Sequence, residues 1–303
     1  MCDYPTTTLE FEKWFDSEQD CRDYLWELRF PDGFRCPCCG AEEAWDTARG
    51  LRRCQGCDNQ LSVTAGTVFE GTRKPLMLWF RAMWHVVNQK HGVSALGLQK
   101  DLGLGSYRTA WTWLHKLRVA MVRPGRDRLP GTVEVDETYI GGKTHGKRGR
   151  GAESKALVFI AAQEDGGRIG RIRLLRIPDA SAESLTDAVG KTIRPGSVVR
   201  TDGWKGYSGL ESLGYNRRIV RPTTDVGDNL LPLANRVAAL LKRWLLGTHQ
   251  GAVRATHLDY YLDEYTFRFN RRTSNSRGKL FFRLAQQAVA VAPRTGDSFT
   301  ASS

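Results

Sequence analysis

Two aspartates stand at strand positions of the sequence, where an ionised side chain is costly. Asp136 lies within the alternating segment VEVDETYI, and Asp202 ends the segment VVRTDGW. A carboxylate in a largely apolar strand is tolerated when a cation pairs with it. Two carboxylates from separate strands offer the hard oxygen ligands that Mg²⁺ prefers. Either aspartate alone could equally be a capping or salt-bridged surface group. The pair indicates a divalent-cation site, which Glu134 on the same strand face could assist, while Glu137 points to the other face.

A second pair of polar residues lies on one side of an otherwise apolar segment. LPLANRVAALLKRWLL predicts a helix from Leu231 to about Leu246, interrupted by Asn235 and Lys242. Seven positions are about two helical turns, so both side chains project from the same face, roughly 10 Å apart. Asn235 could form a hydrogen bond within the core while Lys242 extends its amine to solvent. The spacing by itself leaves their role open.

Four cysteines near the N-terminus have the spacing of a structural zinc site. Two residues separate Cys36 from Cys39 and Cys54 from Cys57, with fourteen residues between the pairs. Two tight turns of this kind point four thiolates at one tetrahedral Zn²⁺. Cys38 competes with Cys39 for the first turn, but the matching two-residue spacing favours Cys39. Since four thiolates leave no open coordination position, the predicted metal stabilises the fold and does not catalyse.

A pair of short helices follows the cysteine segment. SALGLQKDL, the break GLG and SYRTAWTWLHKLRVAM cover residues 94–121 and resemble a helix-turn-helix. Any packed helix pair produces the same pattern, so the motif alone does not distinguish DNA binding from simple packing. The polar side of the second helix suits phosphates or base edges, through Arg108, Thr112, Lys116 and Arg118.

The balance of charge favours a polyanionic partner. The chain of 303 residues carries 45 Lys and Arg against 33 Asp and Glu, a net charge of +12. The excess is local: the glycine-rich segment GGKTHGKRGRG at 141–151 includes Lys147 and Arg148, and residues 265–296 contain no acid. A solvated basic surface would have the same composition, so charge alone does not prove DNA binding.

Composition also limits where the chain works. It has no run of about 18 apolar residues and no recognisable secretory signal, so no membrane association is expected. All seven cysteines lie within the first 57 residues, which fits a metal site in a reducing compartment better than a disulfide framework. We therefore expect a cytoplasmic protein.

The elements that must position these side chains change type at the proline- and glycine-rich segment RPGRDRLPG, residues 123–131. Helical patterns precede it. Beyond it, strands are predicted at 132–140, 155–163, 170–177 and 197–204, with NRRIV at 216–220 as a possible fifth. Helices are predicted at 181–193, at 231–246 and, as the last long helix, at 257–272. This succession predicts an α/β fold, a mixed sheet flanked by helices.

Several motifs in order resemble those of one transposase family. They are FPDGFRCPCCG, VEVDETYIGG, VRTDGWKGY, LLKRWLLGTHQGAV and HLDYYLDEYTFRFNRR, and they span about residues 10–290. The chain is similar to zinc-ribbon insertion-sequence transposases of the DDE superfamily, in the subgroup with a D, D, N or E, K motif. The resemblance implies a ribonuclease H-like catalytic domain with Asp136, Asp202, Asn235 and Lys242 in the motif positions. Many relatives have Glu where this chain has Asn235.

The resemblance also implies a chemistry. Two Mg²⁺ (or Mn²⁺) ions would be held by Asp136 and Asp202, with Asn235 helping through its amide oxygen and Lys242 contacting a DNA phosphate. One ion would activate water to cleave a phosphodiester at the element's end, and the other would stabilise the leaving 3′ oxygen. The freed 3′-OH would then attack target DNA, so no covalent protein–DNA intermediate is needed.

Partners and domains follow from the same resemblance. The zinc ribbon and the helix pair would recognise double-stranded element ends, Arg271 and Arg272 would hold backbone phosphates, and the protein would act as a homo-oligomer on DNA in the bacterial nucleoid. The expected division is an N-terminal helix and zinc ribbon at 1–72, a helix-turn-helix-like region at 73–122, a linker at 123–131, the catalytic domain at 132–290 and a disordered tail at 291–303.

Two other functions share parts of this pattern. A non-catalytic DNA-binding regulator would need only the ribbon and the helix pair, and the loss of Asp136 or Asp202 would have favoured it. A metal-dependent nuclease that cuts without joining strands would share the whole site. A strand-transfer assay with pre-cut ends distinguishes the nuclease from a transposase.

Overall fold

The computed structural model describes residues 4–123, 125–141, 155–222, 229–251 and 253–300. The chain forms two compact units: the first comprises Met1–Arg123 and Thr273–Ser303, and the second comprises Pro124–Arg272. The change at the proline- and glycine-rich segment agrees with the first boundary. Within the described ranges, no helix combines the length and apolarity that a membrane span requires.

The first unit contains a small three-stranded sheet and a set of helices. The strands are antiparallel in the order β1-β2-β3, and they follow two N-terminal helices. Ser17 caps the second helix in a reciprocal capping box with Asp20. The elements are α1 (Thr8–Trp14), α2 (Glu18–Arg29), β1 (Ala44–Asp46), β2 (Arg52–Cys54), β3 (Gln60–Leu61), α3 (Leu76–Asn88), α4 (Ala95–Asp101) and α5 (Tyr107–Ala120).

The C-terminal segment differs from the expected division. A further helix, α9 (Arg277–Ala290), which the sequence analysis did not predict, belongs to the first unit, whereas the expected division placed it in the domain at 132–290. Its Phe281 is fully buried, with ring contacts to Phe11, Phe15 and Phe80. The apolar side of α9 therefore completes the aromatic core of α1, α2 and α3.

The expectation of a disordered tail at 291–303 is also wrong for the residues described there. Asp297–Phe299 form a 3₁₀ turn, and Phe299 is fully buried. Its ring lies 5.5 Å from that of His115 and 6.4 Å from that of Trp111, both on α5. One apolar side chain near the end of the chain is enough to fix this segment.

The second unit is a five-stranded mixed sheet, which confirms the predicted α/β class. The strand order is β6-β5-β4-β7-β8, antiparallel among the first three strands and parallel from β4 through β7 to β8. All five predicted strands are present. They are β4 (Thr132–Ile140), β5 (Ala156–Asp165), β6 (Arg168–Ile177), β7 (Val198–Thr201) and β8 (Asn216–Ile219).

Helices cover both faces of this sheet. On one face α6 (Ala182–Thr192) packs on an apolar layer that includes Val135 and Phe159. On the other face α7 (Pro232–His249) and α8 (Leu258–Phe269) bury a separate layer that includes Ile160. Because neighbouring residues of β4 point to opposite faces, Glu134 and Asp136 lie on the α7 side and Glu137 lies on the other.

Candidate active site

Asp136 lies in the middle of β4, and Asp202 directly follows the last residue of the neighbouring strand β7. β4 and β7 run parallel, and Glu134 is the register partner of Arg200. Asp136 and Asp202 each follow that pair by two residues, so they occupy equivalent positions on strands about 4.8 Å apart. The parallel pairing thus brings together two carboxylates that are 66 residues apart in the chain.

The electrostatics of Asp136 connect it with two other predicted site residues. Burial raises the pKa of this carboxyl above its ordinary value, an N–H bond from Glu137 (2.8 Å) opposes the rise, and the charge of Asp202 adds to it. Lys242 lowers the same pKa, so its amine acts on Asp136 from α7. Among the described residues, neither aspartate forms an ion pair. The negative charge of the pair is left for a cation.

Asn235 and Lys242 are both exposed on α7, which excludes packing in the core. The amide nitrogen of Asn235 donates to Oδ1 of Asn229 at 2.8 Å. That bond leaves the Asn235 carbonyl oxygen available as a neutral ligand. Asn229 was not singled out by sequence reasoning, and the polar residues before the helix gave no signal for it.

Glu134 has a role that sequence reasoning did not assign. Its side chain is buried, and its Oε2 accepts the backbone N–H groups of Leu233 (2.7 Å) and Ala234 (3.1 Å) in the first turn of α7. Arg200 lies 4.0 Å from the same carboxylate and 2.9 Å from Glu164. The signal was present as a second acid in a buried strand, but its partners lie about 100 residues further along.

The opposite face of β4 carries a carboxylate with its own partner. Glu137 accepts a short hydrogen bond from the hydroxyl of Tyr207, which lies in the 3₁₀ segment Lys205–Leu213. Burial and, next, the charge of Glu137 raise the pKa of Tyr207 well above its ordinary value. Glu137 is therefore engaged behind the sheet, which agrees with its predicted orientation.

The four predicted cysteines come together in the first unit. Cys36, Cys39, Cys54 and Cys57 have sulfur atoms within 4.8 Å of one another. The Sγ distances are 3.6 Å between Cys36 and Cys57 and 3.5 Å between Cys39 and Cys54. A tetrahedron with Zn–S bonds of about 2.3 Å has edges of about 3.8 Å, so the donor set fits structural zinc. Cys38 is exposed and is not in the cluster.

Local backbone features form the two cysteine turns. Gly40 adopts φ +78°, and a Cβ at Gly56 would lie 3.3 Å from the sulfur of Cys39. The N–H of Cys39 is the main group that lowers the pKa of the Cys36 thiol, to about 6. The first turn thus favours glycine by its backbone conformation and the second by the close approach of the Cys39 sulfur, and the thiolate form that a metal needs is favoured at Cys36.

Two family models match this chain, one in each of the regions described above. Residues 16–60 match the transposase zinc-ribbon domain, and residues 128–270 match the ISXO2-like transposase domain. A protein of Halobacterium salinarum, described as an uncharacterized protein in transposable element ISH50, is 30% identical over 289 residues, covering 84% of this chain and 92% of its own length. The chain belongs to the ISXO2-like transposase family.

In this ISXO2-like transposase, two residues predicted to bind DNA are in the core. Lys116 donates to the backbone carbonyl of Val68 at 3.1 Å, and Arg118 is only 2% exposed. Both were placed on the polar side of α5, but α5 is packed on more than one side, so they cannot reach a phosphate. Arg108 is exposed, as predicted, and forms an ion pair with Asp297 at 2.7 Å.

Other basic residues of the ISXO2-like transposase have intrachain contacts. Arg271 donates to the carbonyl of Phe267, and Arg272 donates to the carbonyls of Gly170, Ile169 and Phe269. The bonds from Arg272 to Gly170 and Ile169 connect the end of α8 with β6. Phosphate binding by the two arginines stays a prediction. Lys147 and Arg148 lie outside the described residues.

Proposed function

We propose that this protein binds the ends of its insertion sequence, cleaves them and joins the 3′ ends to target DNA at Asp136, Asp202, Asn235 and Lys242. The observation that carries the proposal is the pair of carboxylates that each follow the Glu134–Arg200 register pair of β4 and β7 by two residues, with the charge of Lys242 acting on Asp136. This set corresponds to a D, D, N, K motif on a ribonuclease H-like sheet.

The donor atoms fit hard divalent cations. Asp136 and Asp202 supply charged oxygens without ion-pair partners among the described residues, and Asn235 supplies a neutral one, which is the ligand chemistry of Mg²⁺ or Mn²⁺. Two such ions, when bound, lower the pKa of an attacking water and neutralise charge on a leaving oxygen.

The side chains then divide the work of in-line phosphoryl transfer. The aspartates provide the charge that holds the cations, and the fixed sheet positions that charge before substrate arrives. The exposed amine of Lys242 is placed to bind a phosphate as a point charge. Both cleavage and joining can use this arrangement, since the nucleophile is water in the first step and a DNA 3′-OH in the second.

DNA recognition belongs, in this proposal, to the first unit. The zinc ribbon and the α4–α5 pair bind double-stranded element ends, with Arg108 as an exposed contact. The protein acts as a homo-oligomer on paired ends within the cytoplasm. The family membership and the ribbon match support DNA as the partner.

The proposal is tested by assaying cleavage of end-containing DNA and strand transfer of pre-cut ends with Mg²⁺. Asp136→Ala and Asp202→Ala are expected to abolish both reactions while retaining end binding. Asp187→Ala is the matched control, because this exposed aspartate forms an ion pair with Lys191 on α6 and belongs to no proposed site. A wild-type protein that binds ends without cleaving would indicate a regulator, and one that cleaves without joining would indicate a nuclease. Cleavage by either aspartate variant would overturn the assigned site.

A further inference from the structure

Glu134 links the strand of the first aspartate to the helix of Asn235. Only 2% of this residue is exposed, and its Oε2 accepts the N–H groups of Leu233 and Ala234. The first N–H groups of a helix have no intrahelical acceptor. The residue at the N-cap of α7 is Leu231, which forms no side-chain cap. A carboxylate from β4 therefore supplies the cap that the local sequence lacks.

This arrangement is a costly way to cap a helix. A helix is usually capped by a Ser, Thr, Asp or Asn at its N-cap, but Leu231 is buried in the core at that position, and burying a carboxylate in its place carries a desolvation cost. Burial accordingly raises the pKa of Glu134, opposed by the two N–H bonds and by Arg200. What the buried carboxylate adds, and a local cap cannot, is a fixed connection between α7 and β4.

The connection made by Glu134 lies next to a proposed site residue on both β4 and α7. Glu134 precedes Asp136 by two residues on the same strand face, and its acceptor bond to Ala234 is one residue from Asn235. We propose that Glu134 is a positioning residue, which sets the separation between Asp136 and Asn235 by holding the first turn of α7 on β4. The inference rests on the proposed function, because it concerns the geometry of that site.

The same molecule provides a matched control. Glu18, on α2, accepts the N–H groups of Leu76 (2.8 Å) and Met77 (3.2 Å) in the first turn of α3. It forms the same kind of carboxylate cap in the first unit, whereas the proposed catalytic residues belong to the second unit. A variant at Glu18 reports what loss of such a cap does to stability alone.

The experiment measures end-DNA cleavage by the full-length protein across Mg²⁺ concentrations. We expect Glu134→Ala to raise the Mg²⁺ concentration for half-maximal cleavage about tenfold, and to lower the maximal rate by up to about 100-fold, as displacement of a site group by about 1 Å can do. Glu134→Gln is expected to restore part of both, because its amide oxygen can accept the two N–H bonds. Glu18→Ala, which removes the cap of α3, is expected to lower the melting temperature without changing the Mg²⁺ requirement.

A double-mutant cycle with Asn235→Ala distinguishes positioning from the alternatives. If Glu134 acts through Asn235, Glu134→Gln adds nothing to the Mg²⁺ requirement once Asn235 is alanine. A further rise in that background would make Glu134 an independent ligand and overturn the inference. Equal Mg²⁺ requirements for Glu134→Gln, Glu134→Ala and wild type would also overturn it, while the proposed function stands. If Asn235→Ala itself matches wild type, the proposed role of Asn235 fails, and the inference fails with it.

Discussion

The cysteine cluster and the carboxylate site bring their metal ligands together in different ways. The four thiols come from two turns within 22 consecutive residues, each turn shaped by its own glycine. The acidic site takes Asp136 from one strand, Asp202 from its parallel neighbour, and Asn235 and Lys242 from a helix. The first is a local structure that the metal itself can hold, whereas the second depends on a completed fold.

Because of this difference, we expect the loss of a ligand to have different consequences at the cysteine cluster and at the carboxylate site. A structural zinc contributes its binding free energy to folding, so removing a thiolate unfolds its surroundings. The carboxylates instead form no ion pair among the described residues, and Asp136 has a raised pKa because burial and, less strongly, Asp202 disfavour its charge. Removing one of them is expected to relieve repulsion and to cost activity rather than stability.

The largest predicted effect is at the zinc cluster. Cys54→Ser should abolish zinc binding and end recognition, since zinc at such sites contributes about 10–16 kcal/mol. Cys38→Ser is the matched control, because this exposed cysteine lies outside the cluster. Zinc content and DNA binding are measured on both variants. Retained zinc in Cys54→Ser together with lost zinc in Cys38→Ser would reassign the first turn.

A smaller effect is expected at Lys242. Replacing its amine with a carboxylate in Lys242→Glu repels both the DNA phosphate and Asp136, so cleavage should fall far more than in Lys242→Ala. Zinc content should not change, because the two sites are in different units. Cleavage rates at saturating DNA decide this prediction. Equal rates for wild type and both variants would remove Lys242 from the site.

The part of each site that could be predicted from sequence depends on how far apart in the chain its contacting residues are. Residue spacing alone indicated the cysteine cluster, and alternation identified β4 and the orientation of Glu137. Lys116 and Arg118 were misplaced because a single amphipathic pattern cannot show a second packing surface on α5. The cap from Glu134 to Ala234 could not be predicted, since no local pattern reports a contact between residues 100 positions apart.

The smallest predicted effect is a difference in pH response between the units. Burial raises the pKa of Asp263 to about 7, against the opposing charge of Arg126. A raised carboxyl pKa favours the protonated folded state, so its contribution to stability is present below the unfolded value and is lost as pH rises through about 7. Hydrogen exchange of α8 should therefore accelerate between pH 5 and pH 8, after correction for the intrinsic rate, more than that of α5.

Asp263→Asn provides the control for this pH response. The amide does not titrate, so the corrected exchange of α8 should no longer depend on pH in that range. An unchanged pH response in Asp263→Asn would show that another group is responsible.

Divalent-cation binding by the protein on end-containing DNA tests the acidic site most directly. Mn²⁺ binding is measured by electron paramagnetic resonance, with zinc content determined on the same samples. Wild type is expected to bind Mn²⁺, while Asp136→Ala and Asp202→Ala lose Mn²⁺ and keep their zinc. If both variants bind Mn²⁺ as wild type does, the carboxylates of Asp136 and Asp202 are not the catalytic metal site.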